Sequence, residues 1–98
     1  MYNLDLEQEL YQFPHLWNVS EKTVNRFREM KKVLLSKDLH FDFFIAEFES
    51  DSWISAIGAG HNFTVKILDE TTHNNSVYIS TFDSAVNALI DSVLSVVE

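Results

Sequence analysis

The 98-residue chain contains no cysteine, and this absence excludes several kinds of chemistry. Without thiols, the chain has no disulfide framework, no thiolate nucleophile and no zinc site built on cysteine. Its longest fully apolar runs are only a few residues, against the ~20 residues that a membrane-spanning helix needs. The N-terminal residues are acidic where a signal peptide has a basic stretch. We therefore expect a cytoplasmic protein that is neither exported nor inserted into a membrane.

Proline and glycine are also scarce, with one and two residues respectively, and no low-complexity stretch interrupts the chain. Apolar residues make up 46% of the chain and include eight Phe, three Tyr and two Trp. This supply of large side chains is sufficient for one core, and 98 residues are too few for two well-packed domains. The sequence therefore predicts a single α+β domain spanning residues 1–98.

Lysine and arginine are nearly missing from the last two thirds of the chain. Residues 20–37 hold six of the seven bases against two acids, whereas residues 38–98 hold ten acids against Lys66 alone. The formal net charge is −8. A field of this sign repels nucleic acid and anionic lipid and attracts basic proteins. Charge alone therefore favours a basic protein partner.

The N-terminal segment has a helical pattern. Apolar residues recur at spacings of four and three over residues 3–13, and Pro14 cannot continue a helix, so a first helix is predicted there. The candidate caps are Asn3 and Asp5. In the connector that follows, Leu16 and Trp17 are expected to pack against the core.

Two further helices are predicted. Ser20 is a suitable N-cap for an amphipathic, basic helix over residues 20–36. The clearest helical pattern is the last one, over residues 82–97, where apolar residues recur every three or four positions after a cap at Ser80 or Thr81.

Between these helices the apolar period changes to two, as in strands. A first strand begins at Leu39, and its alternation slips near Phe44, which indicates either burial of both faces or a bulge. Further strands are predicted at 53–57, 63–67 and 77–79. The result is an α+β two-layer sandwich, in which an antiparallel β-meander of three to four strands packs with helices in the order ααββββα.

No stretch predicts catalysis. There is no G-x-S-x-G nucleophile turn, and the four histidines are not spaced as a helical metal pair. The Gly58-Ala59-Gly60 segment lies between two strands, so it predicts a hairpin and not a phosphate-binding loop. The acids between Asp42 and Asp51 could serve acid–base chemistry, but charged hairpins more often keep edge strands soluble. We therefore expect a non-enzymatic protein without metal or cofactor.

The first functional hypothesis is an inhibitor that docks on a basic partner, such as a nuclease or another nucleic-acid-processing enzyme. Toxin-neutralising immunity proteins and phage-encoded anti-defence proteins belong to this class. The candidate partner-binding residues are Asp42, Glu47, Glu49, Asp51, Trp53, Asp69, Glu70 and Tyr78. The simpler interpretation is that the acids only keep a bacterial or phage protein soluble.

The second hypothesis is a small dimeric regulator that contacts nucleic acid through the basic helix 20–36. Its candidate contacts are Arg26, Arg28, Lys31 and Lys32. The net charge of −8 argues against direct binding to nucleic acid as the main function. The segregated charges also allow a homodimer in which the basic helix meets the acidic remainder of a second copy, and such a dimer would loosen with salt.

Overall fold

The computed structural model describes residues 2–48, 51–67 and 81–98. Its elements are, in chain order, β1 Tyr2–Asp5, α1 Leu6–Gln12, α2 Glu21–Ser36, β2 Phe41–Phe48, β3 Asp51–Gly58, β4 His61–Ile67 and α3 Phe82–Val97. The predicted α+β class is confirmed, because these residues form three helices and an antiparallel four-stranded sheet in the order β1-β2-β3-β4. The predicted strand 77–79 lies outside the described residues.

The N-terminus contributes a strand where the sequence predicts the start of a helix. Asn3 and Leu4 belong to β1, and Leu4 lies opposite Ile45 of β2. The helix begins only after Asp5, whose carboxylate accepts a hydrogen bond from the Gln8 backbone N–H at 3.1 Å. The proposed cap at Asp5 is therefore confirmed and the one at Asn3 is wrong, because pairing with β2 outweighs the local helical pattern at these residues.

The slipped alternation in β2 results from burial on both faces of the sheet. Every residue of β2 has a register partner in β3, so the ladder has no bulge near Phe44. Phe43 and Ile45 face the helices, while Ala46 on the opposite face is only 3% exposed. The first of the two predicted explanations is therefore confirmed.

All three helices pack on one face of the sheet. Ser20 caps α2 as predicted, since its Oγ accepts a hydrogen bond from the Thr23 N–H at 3.2 Å. Phe27 of α2 meets Phe43 of β2 edge to face, with ring centroids 5.1 Å apart. Thr81 caps α3. No helix in the described ranges is long and apolar enough to cross a membrane.

The connector between α1 and α2 is held to the core by one of its two predicted anchors. Trp17 stacks on Phe82 with centroids 4.6 Å apart, and its indole N–H donates to Glu9 Oε1 at 3.0 Å. The prediction for Leu16 is wrong, because its side chain is 72% exposed. The indole of Trp17 both stacks its ring on an aromatic side chain and keeps a hydrogen bond for its N–H. The aliphatic side chain of Leu16 can form neither contact.

Candidate partner-binding site

The β2–β3 hairpin places Asp42 and Trp53 on the same side of the sheet. Asp42 lies opposite Ile57, and Trp53 lies opposite Ala46. Alternate residues of a strand share a face, so these side chains lie on the face away from the helices, which we call the outer face. Glu47 is exposed but has the other parity. The two carboxylates therefore do not share a face.

Several predicted partner-binding residues fall where no side chain is described. Glu49, Asp69, Glu70 and Tyr78 lie outside the described residues. For Asp51 only the backbone position is described, opposite Phe48 at the start of β3. These residues remain predictions from the sequence.

The structure brings two further acids to Asp42. A recess of about 360 Å³ lies between the end of β1 and the start of β2, and its walls include Asp5, Glu7, Asp42 and Phe44. Asp5 and Glu7 are far from Asp42 in the chain, and only the antiparallel pairing of β1 with β2 brings them together. No local pattern in the sequence could have indicated this. Within the described ranges, no group of three such side chains could hold a metal ion.

The three carboxylates of the recess differ in how far they are already engaged. Glu7 Oε1 lies 3.3 Å from Lys31 Nζ, and Asp5 caps α1. Asp42 is exposed and forms no ion pair with the rest of the described chain. Asp42 is thus the acid of this recess that is most available to a partner.

Arg26, one of the predicted nucleic-acid contacts, connects α2 to α3. Its guanidinium pairs with Asp91 and donates to Asn87 Oδ1 at 3.0 Å. About two turns nearer the N-termini of these helices, the Ser20 N–H donates to Asp83 Oδ1 at 3.0 Å. These contacts advance together along both helices, so α2 and α3 run parallel, with a polar seam between them.

Three further cations of α2 are also engaged within the chain. The Arg28 guanidinium carbon lies 4.8 Å from the centre of the Tyr11 ring, at cation–π distance. Lys32 Nζ lies 3.2 Å from Glu29 Oε1 on the same helix, and Lys31 is held by Glu7. The four predicted nucleic-acid contacts therefore each have an intramolecular partner.

The glycines of the Gly58-Ala59-Gly60 segment have structural roles. Ala59 and Gly60 form a two-residue turn between β3 and β4, with φ of 50° and 78°, so the predicted hairpin is confirmed. Gly58 is needed for a different reason, because a Cβ there would lie 2.4 Å from the His40 carbonyl oxygen. His40 itself is exposed, with Nε2 3.6 Å from Asp38.

Comparisons with protein-family models, with curated proteins and with solved structures give no match. The function is therefore argued from the residues of this chain. Its described surface offers exposed acids, a half-buried tryptophan on an outer sheet face, and four α2 cations that are engaged internally. Such a surface can bind a basic macromolecule.

Proposed function

We propose that this chain is a non-enzymatic inhibitor that binds a basic, nucleic-acid-processing protein and occupies the surface where that protein binds phosphates. The observation that most supports this proposal is that cations of α2 have intramolecular partners, whereas acids of the β2–β3 hairpin do not. Four of the five cations of α2 have a partner within the chain. Asp42 and Glu47 are exposed and have no ion-pair partner among the described residues. The charged side chains that the β2–β3 hairpin leaves available to a partner are therefore acidic.

Acids and aromatics would play different parts in the complex. The carboxylates of Asp42 and Glu47 attract a positive surface over several ångströms and speed association. Trp53 offers the kind of large, rigid side chain that dominates interface energies and slows dissociation. The candidate partner-binding residues that are predicted from the sequence alone are Glu49, Asp51, Asp69, Glu70 and Tyr78. The carboxylates take the places of phosphates, so inhibitor and nucleic acid compete for one surface.

A mobility-shift assay at low salt tests the alternative, a regulator that binds nucleic acid through α2. With duplex DNA and single-stranded RNA as probes we expect no retardation, because four of the five α2 cations are already engaged within the chain and the net charge is −8. Retardation that fades steeply with added salt, and that is lost in Arg28→Gln/Lys32→Gln, would favour the regulator and contradict the inhibitor.

Affinity enrichment from cells that encode the chain tests the inhibitor directly. The bait is compared with Asp42→Asn/Glu47→Gln and with a matched control, Glu21→Gln/Glu98→Gln, which removes the same charge from other exposed positions. The partner should be basic, should be released by salt, and should be lost only from the Asp42/Glu47 variant. Its purified activity on nucleic acid should then fall as the chain is added.

Two results would contradict the proposal. Equal loss of the partner from both double variants would show that only net charge matters. A stable complex whose enzyme retains full activity on nucleic acid would show binding without inhibition.

A further inference from the structure

The outer face of the sheet carries an apolar strip, and none of the three described helices lies on it. The strip consists of Phe44, Ala46, Trp53 and Ile57, all from the two central strands. Phe44 and Trp53 are half-buried, and Ile57 is 43% exposed. Contiguous apolar surface of this kind commonly marks a site of association.

Charged side chains occupy opposite corners of the same face. Asp42 lies near one end of β2, with Asp5 on the neighbouring β1. Lys66 lies on β4 at the diagonally opposite corner, where its register partner is Trp53. A two-fold axis in the plane of the face, perpendicular to the line between these corners, sets the acids of one copy against the lysine of the other.

We infer that the outer face binds the same face of a second copy of this chain, so that two sheets stack face to face with the apolar strips in contact. Sheets that pack face to face have strands that are either nearly aligned or crossed at near right angles, and the diagonal axis gives the crossed arrangement. This inference concerns the free protein and goes beyond the proposed function. Because Asp42 and Trp53 belong to both surfaces, the dimer must open before the inhibitor can bind its partner.

The size of the face predicts a weak dimer. Four strands about 4.8 Å apart, each rising ~3.4 Å per residue over at most eight residues, give a face of about 500 Å². Stable interfaces bury roughly 800 Å² on each partner. The dimer is therefore populated at high protein concentration and dissociates on dilution.

Salt separates this dimer from the complex with a basic partner. Two copies of charge −8 repel each other, and added salt screens that repulsion without weakening apolar burial. The contacts with Lys66 at the rim set the orientation and add little affinity. The dimer therefore strengthens with salt, whereas the inhibitor complex weakens. The failure of one proposal can thus be told from the failure of the other.

Sedimentation equilibrium of the full chain, from micromolar to millimolar concentration at low and high salt, tests the inference. Ile57→Lys should raise the dimer dissociation constant at least about tenfold, because it buries a charge in the apolar strip. Leu35→Lys is the matched control: Leu35 is 67% exposed on α2, and the same change there should have no effect. Thr64→Lys, at an exposed outer-face position, repeats the test if Ile57→Lys does not fold.

Exchange of charges tests the orientation. Lys66→Glu should weaken the dimer, and Asp42→Lys in the same chain should restore it at the original net charge. A monomer at millimolar concentration and high salt would overturn the inference and leave the outer face to another occupant. A dimer that Leu35→Lys weakens as much as Ile57→Lys would overturn it too. Failure of the exchanged pair to restore the dimer would remove the self-complementarity that singles out a second copy.

Discussion

Asn87 holds the polar seam between α2 and α3 together, and its removal is the most informative perturbation of the fold. Its amide nitrogen donates to Thr23 Oγ1 at 2.9 Å and to the Asp83 carbonyl at 3.0 Å. Its amide oxygen accepts from Arg26 at 3.0 Å. Thr23 is only 3% exposed, so water cannot readily replace the lost donor.

The expected cost of Asn87→Ala follows from these three bonds. A typical hydrogen bond contributes about 0.5–1.5 kcal/mol, which gives a loss of roughly 3 kcal/mol for the set. Alanine recovers about 0.6 kcal/mol through its higher helix propensity. We therefore expect a net loss of about 2 kcal/mol in the free energy of unfolding. For a domain of this size, that corresponds to a fall in Tm of about 10 °C.

Asp91→Ala provides the contrast, because it removes only the ion pair with Arg26. The two side chains are 36% and 64% exposed, and exposed pairs of this kind contribute about 0.2–1 kcal/mol. Asn25→Ala is the matched control for the Asn-to-Ala exchange, at an exposed position of α2. It should be neutral or slightly stabilising.

Urea and thermal denaturation followed by circular dichroism measure all three variants. If Asn87→Ala costs no more than Asp91→Ala, the seam is not held by the amide, and the assignment of Arg26 to this seam loses its energetic basis. A loss as large in Asn25→Ala would show that the exchange itself, and not the seam, is responsible.

Three further outcomes are expected. Leu89 is fully buried, so Leu89→Asp should unfold the domain by burying an unpaired charge; a native circular dichroism spectrum with unchanged Tm would refute this. Ala59 has φ of 50° next to Gly60, so Ala59→Asn should raise the free energy of unfolding by about 1 kcal/mol, which urea denaturation measures as a higher midpoint. Desolvation raises the pKa of Asp83, but hydrogen bonds, first that from the Ser20 backbone, outweigh it and lower the pKa below 3.8. Its stabilising contribution is therefore present above the unfolded pKa and lost as pH falls below about 4. Asp83→Asn should flatten acid denaturation there, and an unchanged acid limb would contradict the assignment.

Local patterns in the sequence were sufficient for much of the helical layer. Ser20 and Thr81 cap their helices as expected, because an N-cap depends on a backbone N–H only a few residues away. The spacing that predicts α3 also predicts that Leu89 is buried, since one face of a helix repeats every three or four residues. The hairpin at Gly60 could also be predicted, because its turn depends only on adjacent residues that adopt positive φ.

Tertiary structure decided the features on which the proposed function depends. The apolar spacing around residues 3–5 predicts a helix, yet these residues form part of β1 because β2 offers a partner strand. Arg26 looks solvated by helical period, yet it meets Asp91 because α2 and α3 pack in parallel. Strand pairing and interhelical contacts join residues that are distant in the chain, and no short-range period carries that information. The sequence by itself therefore determined the fold class and the acidic balance, and only the packing decided which charges are exposed to a partner.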